Sequence, residues 1–525
     1  MAVRSPQTGA KRGLRRPELL ASLSLAIDLG LGQPMEHMLR SGLIALRLAD
    51  AAGLDQADRS IVYYANLVAW IGCHADSHQI AATFGDDIEF RRDYYARDRT
   101  EPGWGIALAG RVGRGRPLVE RPARLGAFLL TGGDTMSELI RSHCLSAGMF
   151  AERLGLGVEV REVLPQAFER WDGKGLPAGL AGEQISQPMR IVHLADIIEV
   201  HHRLGGPTRA VKVARRRGGT KFDPHLVDLF SQHAAEILAG LDVEDVWQAV
   251  VDEAPDPGPL LSDAEFERAL EAVADFVDVK SPYTAGHSRG VAVLAAAAAS
   301  DLGLPAADIA LLRRAALVHD LGRMGVSNLV WDKRGALTPA EWERVRLHPY
   351  LTERMLSRPA ALHALAEIAG RHHERLDGSG YPRGLAGGAI SRLARVLAAA
   401  DVYHAMLEPR PHRAALPADQ AAAALRQEAR SGRLDGGAVD AVLRAAGHRV
   451  GRSHSWPAGL TSREVEILAL VTRGLSNREL AQQLHISEKT VRNHLEHIYA
   501  KAEVSNRTGA ILFAIEHGLT GHFPN

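Results

Sequence analysis

The stretch ERLDGSGYPRGLAGGAIS, residues 374–391, occurs a second time in modified form as ERWDGKGLPAGLAGEQIS, residues 169–186. The two stretches are separated by a constant offset, 374 − 169 = 205. Further upstream the offset is larger, since Asp28 aligns with Asp278 at 278 − 28 = 250. A repeat of this length indicates that one structural unit is present twice. The change of offset places an insertion in the first copy, between about Ala75 and Pro122.

The composition is that of an ordinary globular protein. Of the 525 residues, 46% are hydrophobic and 24% are charged, and the formal net charge is +0, so no global charge attracts nucleic acid or a membrane. Only Cys73 and Cys144 occur, too few for a disulfide framework or a cysteine zinc site, which favours a cytoplasmic location. No apolar run approaches the roughly 20 residues needed to cross a bilayer, and we expect no membrane partner.

Helical patterning dominates the chain. Apolar residues recur at three- and four-residue spacing in most segments, while alternating β-branched runs are rare, and this predicts an all-α fold. Two stretches rich in Pro, Gly and Ser, residues 252–263 and 447–459, are typical of linkers. We therefore predict three domains, at residues 17–251, 262–446 and 458–525.

The second copy carries an ordered series of histidines and aspartates. In chain order they are His287, the pair His319-Asp320, His348, the pair His372-His373, and Asp401. Imidazole and carboxylate groups are ligands for divalent Mn, Fe and similar ions, and a helical scaffold can direct several of them at one cavity. A lone histidine is usually a structural or surface residue, but the ordered set favours a metal centre.

Asp320 and Arg323 are the candidate catalytic residues. Within an apolar run, an ionised Asp320 carries a large desolvation cost unless a cation lies against it, and a metal ion would supply that cation. Arg323 follows three residues later, on the same side of a predicted helix, where its guanidinium can bind a phosphate oxygen. A metal cluster beside an arginine suits phosphoester hydrolysis, in which two ions activate a bridging water.

Residues 276–413 resemble the HD-GYP family of metal-dependent phosphodiesterases, which hydrolyse cyclic di-GMP. The resemblance rests on the HD pair, the LHP histidine His348, the block HHERLDGSGYP at residues 372–382, and the terminal aspartate Asp401. It implies two divalent metal ions, Mn, Fe or Mg. One would be held by His287, His319, Asp320 and Asp401, and the other by His348, His372 and His373, with Asp320 shared between them.

The same resemblance implies a set of substrate-binding residues, namely Arg323, Tyr381, Arg410 and Arg413. Two positions depart from the family pattern. Arg323 stands where the family usually has lysine, which keeps the charge but changes reach and hydrogen-bond geometry. Tyr283 stands where some members place an acid that holds a third ion, so we predict two metals.

The first copy has lost much of this set. His37, His143 and Asp196 persist, but Ala69-Trp70 replaces the HD pair and Ala167-Phe168 replaces the histidine pair. The positions of Arg410 and Arg413 are taken by Gly205 and Thr208. Without a shared carboxylate we expect no hydrolysis there. The three survivors either are satisfied core residues or bind one ion or a small ligand, and a partner or sensor role for this copy is plausible.

The C-terminal segment predicts short helices with legible caps. Thr461 with Glu464 and Ser476 with Glu479 form capping-box patterns, and Ser487 can cap a helix that begins near Glu488. The segment resembles the LuxR-type helix-turn-helix, with the signature in TVRNHLEHIYAK, residues 490–501. The DNA contacts would come from the start of this helix, at Lys489, Thr490, Arg492 and Asn493.

These observations together predict a DNA-binding transcriptional regulator that carries a two-metal phosphohydrolase. Its substrate would be cyclic di-GMP or a related phosphoester, and the last helix, AILFAIEHG, is expected to pair two modules into a homodimer. One alternative is a catalytically silent domain that senses a nucleotide and only controls DNA binding. A further alternative is hydrolysis of another nucleotide or phosphate monoester.

Overall fold

The structure is a computed structural model that describes residues 13–97, 103–115, 117–241, 245–449, 456–484 and 486–519. The predicted all-α fold is confirmed, since these residues form helices, short 3₁₀ turns and isolated bridges but no named strand. None of the helices in these ranges combines the length and apolar character that a bilayer crossing requires. The chain divides after Ala446 into two compact units. Both predicted copies lie in the first unit, and their bounds stay a prediction.

Each copy is a bundle of helices joined by short turns. The first copy contains α1 (Arg16–Gly30), α2 (His37–Ala51), α3 (Gln56–Val68), α4 (Ser77–Phe84), α5 (Asp87–Ala96), α6 (Trp104–Ala109), α7 (Arg121–Arg153), α8 (Val158–Val163), α9 (Gln187–Arg217), α10 (Pro224–Ile237) and α11 (Val246–Asp252). The second copy contains α12 (Asp263–Asp278), α13 (His287–Asp301), α14 (Ala306–Val318), α15 (Asn328–Trp331), α16 (Pro339–Arg346), α17 (His348–Leu356), α18 (His363–Ala369), α19 (Arg392–Leu407), α20 (Ala418–Arg430) and α21 (Gly436–Ala445).

The two copies complete each other's packing. Helix α1 of the first copy packs against α17 and the 3₁₀ segment Leu321–Gly325 of the second copy. Helix α12 of the second copy packs in turn against α7 and the 3₁₀ segment Ile71–His74 of the first. Phe276 is fully buried and meets the His74 ring edge-on, with ring centroids 5.0 Å apart. The predicted linker at residues 252–263 therefore joins two copies that pack directly against each other.

The repeated stretch folds around a buried glutamate. The carboxylate of Glu374 accepts hydrogen bonds from the backbone N–H of Arg383 (2.9 Å) and of Leu385 (2.8 Å). Glu169 holds the corresponding loop of the first copy in the same way. Gly380 lies so close that a Cβ there would be 2.5 Å from the Cα of Glu374, so only glycine fits. These contacts explain why the stretch is recognisable in both copies.

The second unit is a small helical domain. Its helices are α22 (Ser462–Thr472), α23 (Asn477–Gln483), α24 (Glu488–Lys501) and α25 (Arg507–Glu516). The predicted capping boxes at Thr461 and Ser476 and the cap at Ser487 are confirmed. One apolar core, which includes Val491, Leu495 and other buried side chains of all four helices, holds them together. His485, between α23 and α24, lies outside the described residues, as does the end of the third predicted domain after residue 519.

Candidate metal centre and nucleic-acid interface

The metal-ligand candidates of the second copy stand at helix ends, except for one. His287 and His348 are the first residues of α13 and α17, and Asp401 lies within α19. The His319-Asp320 pair follows α14, and the His372-His373 pair follows α18 after two residues. Helix ends project side chains in directions that a helix interior does not allow, and here they converge on one point.

The predicted helix across Asp320 and Arg323 is wrong, because α14 ends at Val318 and the chain continues as a turn and a 3₁₀ segment. The turn brings the backbone against the start of α17, where a Cβ on Gly322 would lie 1.9 Å from the His348 carbonyl oxygen. The predicted proximity of the two side chains nevertheless holds. An Arg323 guanidinium N–H donates to Asp320 Oδ2 at 2.9 Å.

Three of the histidines are held in one tautomer by the backbone. The Nδ1–H groups of His319, His348 and His372 donate to the carbonyl oxygens three residues earlier, at 2.7, 2.5 and 2.6 Å. This leaves each Nε2 lone pair directed at the centre, which is the arrangement of a metal-ligating histidine. The buried Nε2 of His319 has no hydrogen-bond partner. A buried nitrogen without a partner is costly unless a ligand completes it.

Asp320 lies between two groups of imidazoles. Its Oδ1 is 3.4 Å from His348 Nε2 and 3.6 Å from His372 Nε2, while its Oδ2 is 3.7 Å from His319 Nε2. On the far side of His319, Asp401 Oδ1 lies 3.8 Å from the same Nε2 and 3.2 Å from that of His287. The carboxylate of Asp320 thus has one oxygen for each group.

The candidate ligand atoms form several overlapping groups, each within 4.8 Å. The groups are His287 with His319 and Asp401, His348 with His372 and His373, and His319 with Asp320 and His372. All seven ligands predicted from the sequence therefore come together. A further group of His287, His404 and Glu408 was not foreseen. Nitrogen and carboxylate donors in this mixture fit divalent first-row metals.

Burial keeps three of the imidazoles neutral. It lowers the pKa of His319 to about 4, although Asp320 acts in the opposite direction. Burial is also the main cause that lowers the pKa of His348, and it holds the pKa of His373 well below its usual value. A neutral imidazole has the lone pair that a metal ion requires.

His287 has the opposite charge state. Burial opposes its protonation, but hydrogen bonds with Asp401 and Glu408 outweigh burial and raise the pKa of His287 to about 10. Burial likewise acts to raise the pKa of Asp320, but Arg323 and the surrounding imidazoles together outweigh burial and hold that pKa well below its usual range. Both aspartates are therefore ionised. An ion at the His287 group would replace the proton that this ring carries.

The centre opens into a cleft of about 410 Å³ that contains all four predicted substrate residues. The Tyr381 ring lies against the His373 ring, tilted by 33°, with centroids 4.7 Å apart. Arg323 lies over the Trp331 ring at 4.0 Å, and Arg410 donates to Glu408 at 2.8 Å. The fourth residue, Arg413, also lines the cleft and donates to backbone carbonyls at the end of α19.

Some supporting residues escaped the sequence reasoning. Thr352 Oγ1 donates to the His319 carbonyl oxygen (3.0 Å) and accepts from Gly322 N–H (2.8 Å), which fixes the turn after α14. Glu408 accepts from His287 Nδ1 at 2.9 Å. Glu408 stands in the segment EPRPHR that already supplied two arginines, so proximity in sequence was an available signal. Thr352 carried none.

Comparison with known proteins decides the family. The family model described as HD domain matches residues 89–226 and 271–437, together more than half of the chain. The chain belongs to the HD domain family. A second family model, bacterial regulatory proteins of the luxR family, matches residues 458–514. Both resemblances noted in the sequence are confirmed.

The relatives include cyclic dinucleotide phosphodiesterases. The chain is 35% identical over 414 residues to 3'3'-cGAMP-specific phosphodiesterase 3 of Vibrio cholerae, covering 78% of this chain and 90% of that protein. It is 38% identical over 178 residues to the cyclic di-GMP phosphodiesterase response regulator RpfG of Xanthomonas campestris, covering 33% of this chain and 47% of that protein. A crystal structure of a cyclic GMP-AMP specific phosphodiesterase of V. cholerae matches with 30% identity and a TM-score of 0.58, over 83% of this chain and 99% of that one.

The first HD copy fills the corresponding position with aromatic side chains. Trp70, at the place of the shared aspartate, donates from Nε1 to Asp196 Oδ1 at 3.3 Å and lies edge-on to Phe168, with centroids 5.2 Å apart. His37 is held by Asp196 (3.0 Å) and by Glu199 (2.5 Å). Within the described residues of this copy, no three histidine, cysteine or acidic side chains converge as in the second copy. The predicted description of His37 and Asp196 as satisfied core residues agrees with these contacts.

The luxR-type domain presents one exposed helix face. Lys489, Arg492 and Asn493 are exposed on the first two turns of α24, opposite the side that buries Val491 and Leu495. The fourth predicted DNA contact, Thr490, is half-buried, and its hydroxyl lies 2.8 Å from that of the capping Ser487.

Proposed function

We propose that the second HD copy is a metal-dependent phosphodiesterase of a cyclic dinucleotide, and that the luxR-type domain of the same chain binds DNA. The observation that carries the catalytic part is the position of Asp320, whose two carboxylate oxygens face separate groups of imidazoles. A carboxylate shared in this way is what a two-ion site requires. The chain would then couple the level of a nucleotide to transcription.

The proposed ligands divide into two sets that share Asp320. His287, His319 and Asp401 would hold one ion, and His348, His372 and His373 the other. Two bound ions would polarise the phosphoryl group and lower the pKa of a bridging water. The backbone carbonyl partners of the imidazoles keep the Nε2 atoms oriented for this task.

The cleft supplies groups for the remainder of the substrate. Arg323 and Arg410 line it and can donate to phosphate oxygens, in geometries suited to planar guanidinium groups. Tyr381 presents an aromatic ring beside the metal centre and can stack on a base. The relatives named above act on 3'3'-cGAMP and on cyclic di-GMP. A cyclic dinucleotide is therefore the proposed substrate class, and either nucleotide is a candidate.

The test uses the full chain, purified in reducing buffer without chelator and loaded with Mn²⁺ or Fe²⁺. We expect two ions per chain by elemental analysis and release of linear dinucleotide from cyclic di-GMP, 3'3'-cGAMP or both. Asp320→Ala should lose the second ion and nearly all turnover while keeping its helical circular dichroism. The matched control is Asp308→Ala, because Asp308 lies in the first turn of α14, outside the cleft. A chain that cannot be loaded with metal would refute the proposal.

A second candidate is a silent nucleotide sensor, and the contact between Arg323 and Asp320 favours it. This arginine occupies Oδ2 of the carboxylate that the two ions would share, so it competes with a metal ion for that oxygen, and the carboxylate competes with phosphate for the guanidinium. The sensor predicts tight binding of a cyclic dinucleotide without any linear product. Turnover of another nucleotide or of a phosphate monoester, with both cyclic dinucleotides inert, would identify a third possibility.

The DNA part of the proposal rests on the exposed face of α24. Arginine and asparagine side chains suit guanine and adenine edges in the major groove. We expect Arg492→Ala to weaken binding to a selected operator by about 1–3 kcal/mol and to relax base preference at one position. Lys489→Ala should instead weaken operator and random duplex about equally. Unchanged discrimination after Arg492→Ala would remove this residue from the interface. We also propose that two chains pair through the last helix, α25, when they bind DNA.

A further inference from the structure

The first HD copy contains a cavity of about 430 Å³ at the position of the catalytic cleft. Trp70 and Phe168 line it, and these residues align with Asp320 and His373 of the second copy. The copy that lost its ligands has therefore kept an open space at the corresponding place. Its volume falls within the range of roughly 300–1,000 Å³ that is usual for small-molecule sites.

The insertion of the first copy, with the start of the helix after it, builds much of the wall. Helices α4 to α6 and the first half of α7 contribute Ile80, Phe90, Tyr95, Trp104, Leu108 and Phe128. The second copy has no counterpart of this insertion. Aromatic and aliphatic side chains thus make up most of this wall, and its charged members are Asp76, Arg91 and Arg170.

The cavity does not suit a nucleotide. Arg410 and Arg413 of the catalytic cleft are replaced by Gly205 and Thr208, which carry no charge. Arg91 and Arg170 line the cavity, but their guanidinium groups are paired, with Asp87 at 3.1 Å and with Asp172 at 3.2 Å. A phosphate group would find no available counter-charge from these positions, whereas an apolar molecule would find matching walls.

One buried polar atom in the wall lacks a partner. His143 is 2% exposed, and its Nε2–H donates to the Ala69 carbonyl oxygen at 3.1 Å. Its Nδ1 is buried and has no hydrogen-bond partner. Burial lowers the pKa of this ring to about 3, so the ring is neutral and Nδ1 is an acceptor. The ring therefore brings no positive charge to the wall.

A single buried carboxylate links the cavity wall to the catalytic copy. Asp87 pairs with Arg91 of the wall and, across the boundary between the copies, with Lys280 Nζ at 3.1 Å. It also accepts from the backbone N–H of Asn328 at 2.8 Å. Lys280 directly precedes Ser281, which lines the catalytic cleft. A shift of Arg91 would therefore act on groups next to that cleft.

We propose that the cavity of the first HD copy is a receptor site for a small, uncharged and largely apolar molecule, and that its occupancy reaches the catalytic copy through Asp87. The proposal goes beyond the phosphodiesterase and DNA-binding functions and depends on neither. The insertion gives this copy a role that its lost metal ligands cannot.

The binding test uses the full chain and N-phenyl-1-naphthylamine, a neutral aromatic dye with one N–H that fluoresces in apolar surroundings. We expect saturable binding of one dye per chain. Met136→Trp, which places a larger side chain in the cavity wall, should weaken it about tenfold or more. The control is Leu130→Trp on the same helix, since Leu130 is 87% exposed and does not line the cavity.

A second variant guards against misfolding of the first. Gly133 also lines the cavity, and a Cβ there would meet no atom within 4 Å, so the backbone at this position accepts the larger residue of Gly133→Phe. It should weaken dye binding while Leu130→Trp leaves it within about twofold of the unaltered chain. Absence of saturable binding, or equal effects of cavity and control variants, would overturn the receptor site.

Communication is tested by hydrogen exchange of the same chain with and without saturating dye. We expect the exchange rates of peptides covering residues 280–283 and 327–332 to change about threefold or more, and the change to be absent in Met136→Trp. Dye binding with changes confined to the first copy would refute the link through Asp87. Neither readout requires metal, nucleotide or turnover.

Discussion

Replacement of Asp87 by alanine should destabilise the first unit strongly, although the residue lies outside both the metal centre and the cleft. The carboxylate is fully buried and meets two cations that are themselves buried, Arg91 and Lys280, each at 3.1 Å. It also accepts from Ser327 Oγ at 2.7 Å and from Asn328 N–H. Asp87→Ala would leave both cations without their counter-charge.

The expected loss is about 3–5 kcal/mol of unfolding free energy, the usual effect of removing one partner from a buried ion pair. Burial lowers the pKa of Lys280. Burial acts to raise the pKa of Asp87, but Lys280, Arg91 and the hydrogen bonds to Asp87 overcome it and lower this pKa to about 2. Asp87 is therefore charged in the folded protein. In Asp87→Ala, the two buried cations left without this carboxylate account for most of the lost unfolding free energy.

Urea unfolding of the full chain, followed by tryptophan fluorescence, measures the effect. The matched control is Asp86→Ala, because the Asp86 side chain caps α5 through Ile88 and Glu89 N–H and otherwise lies 3.9 Å from the exposed guanidinium of Arg344. Loss of such a cap costs about 1 kcal/mol. Equal losses for the two variants, or a loss under about 1.5 kcal/mol for Asp87→Ala, would refute the central role of this carboxylate.

The pH dependence provides an independent check on the same residue. The pKa of Asp87 falls from 3.8 to about 2 on folding, so its ionisation contributes stability that is complete above about pH 4 and lost as the pH falls toward 2. The shift corresponds to roughly 2 kcal/mol. Asp87→Ala should remove that part of the decline in stability between pH 4 and pH 2. An unchanged profile would contradict the assignment.

Two further predictions concern buried glutamates. Glu374→Gln should weaken the hydrogen bonds to the loop that carries Tyr381, and so lower phosphodiesterase turnover about tenfold while metal content stays unchanged. The control Glu367→Gln, at an exposed ion pair, should match the unaltered chain in both assays. Glu464→Gln should lower the unfolding free energy of the second unit by about 2 kcal/mol, since this 5% exposed carboxylate pairs with Lys501 and closes a capping box. Thermal unfolding measures the loss, with Glu466→Gln at an exposed ion pair as the control.

The sequence predicted features that depend on local spacing or on internal repetition. The helix caps at Thr461, Ser476 and Ser487 follow from side chains within three residues of one another, and the structure contains all three. The metal-ligand set was legible because seven polar residues in an apolar context stand in a fixed order. Its convergence followed from the resemblance, since no local rule brings His287 next to Asp401.

Features that depend on distant partners could not be predicted. The segment around Asp87 is rich in charged residues and carries no apolar stripe that would mark it as interior. The Asp87 carboxylate can be buried because Lys280, 193 residues later, supplies a counter-charge. The end of α14 before His319 was missed for a related reason, since the turn is fixed by Thr352 and by the close approach of α17.

The loss of metal ligands from the first copy did not remove its structural role. Trp70 and Phe168 pack against each other at the edge of the cavity, where the second copy has Asp320 and His373, and the Trp70 indole N–H donates to Asp196. The first copy meets the second copy elsewhere, at Phe276 and Lys280 of the second copy, and both of these side chains are almost completely buried. A second copy produced without the first would expose one large apolar side chain and lose the partner of one buried cation. The first copy therefore supports the fold of the second, at Phe276 and, through Asp87, at Lys280.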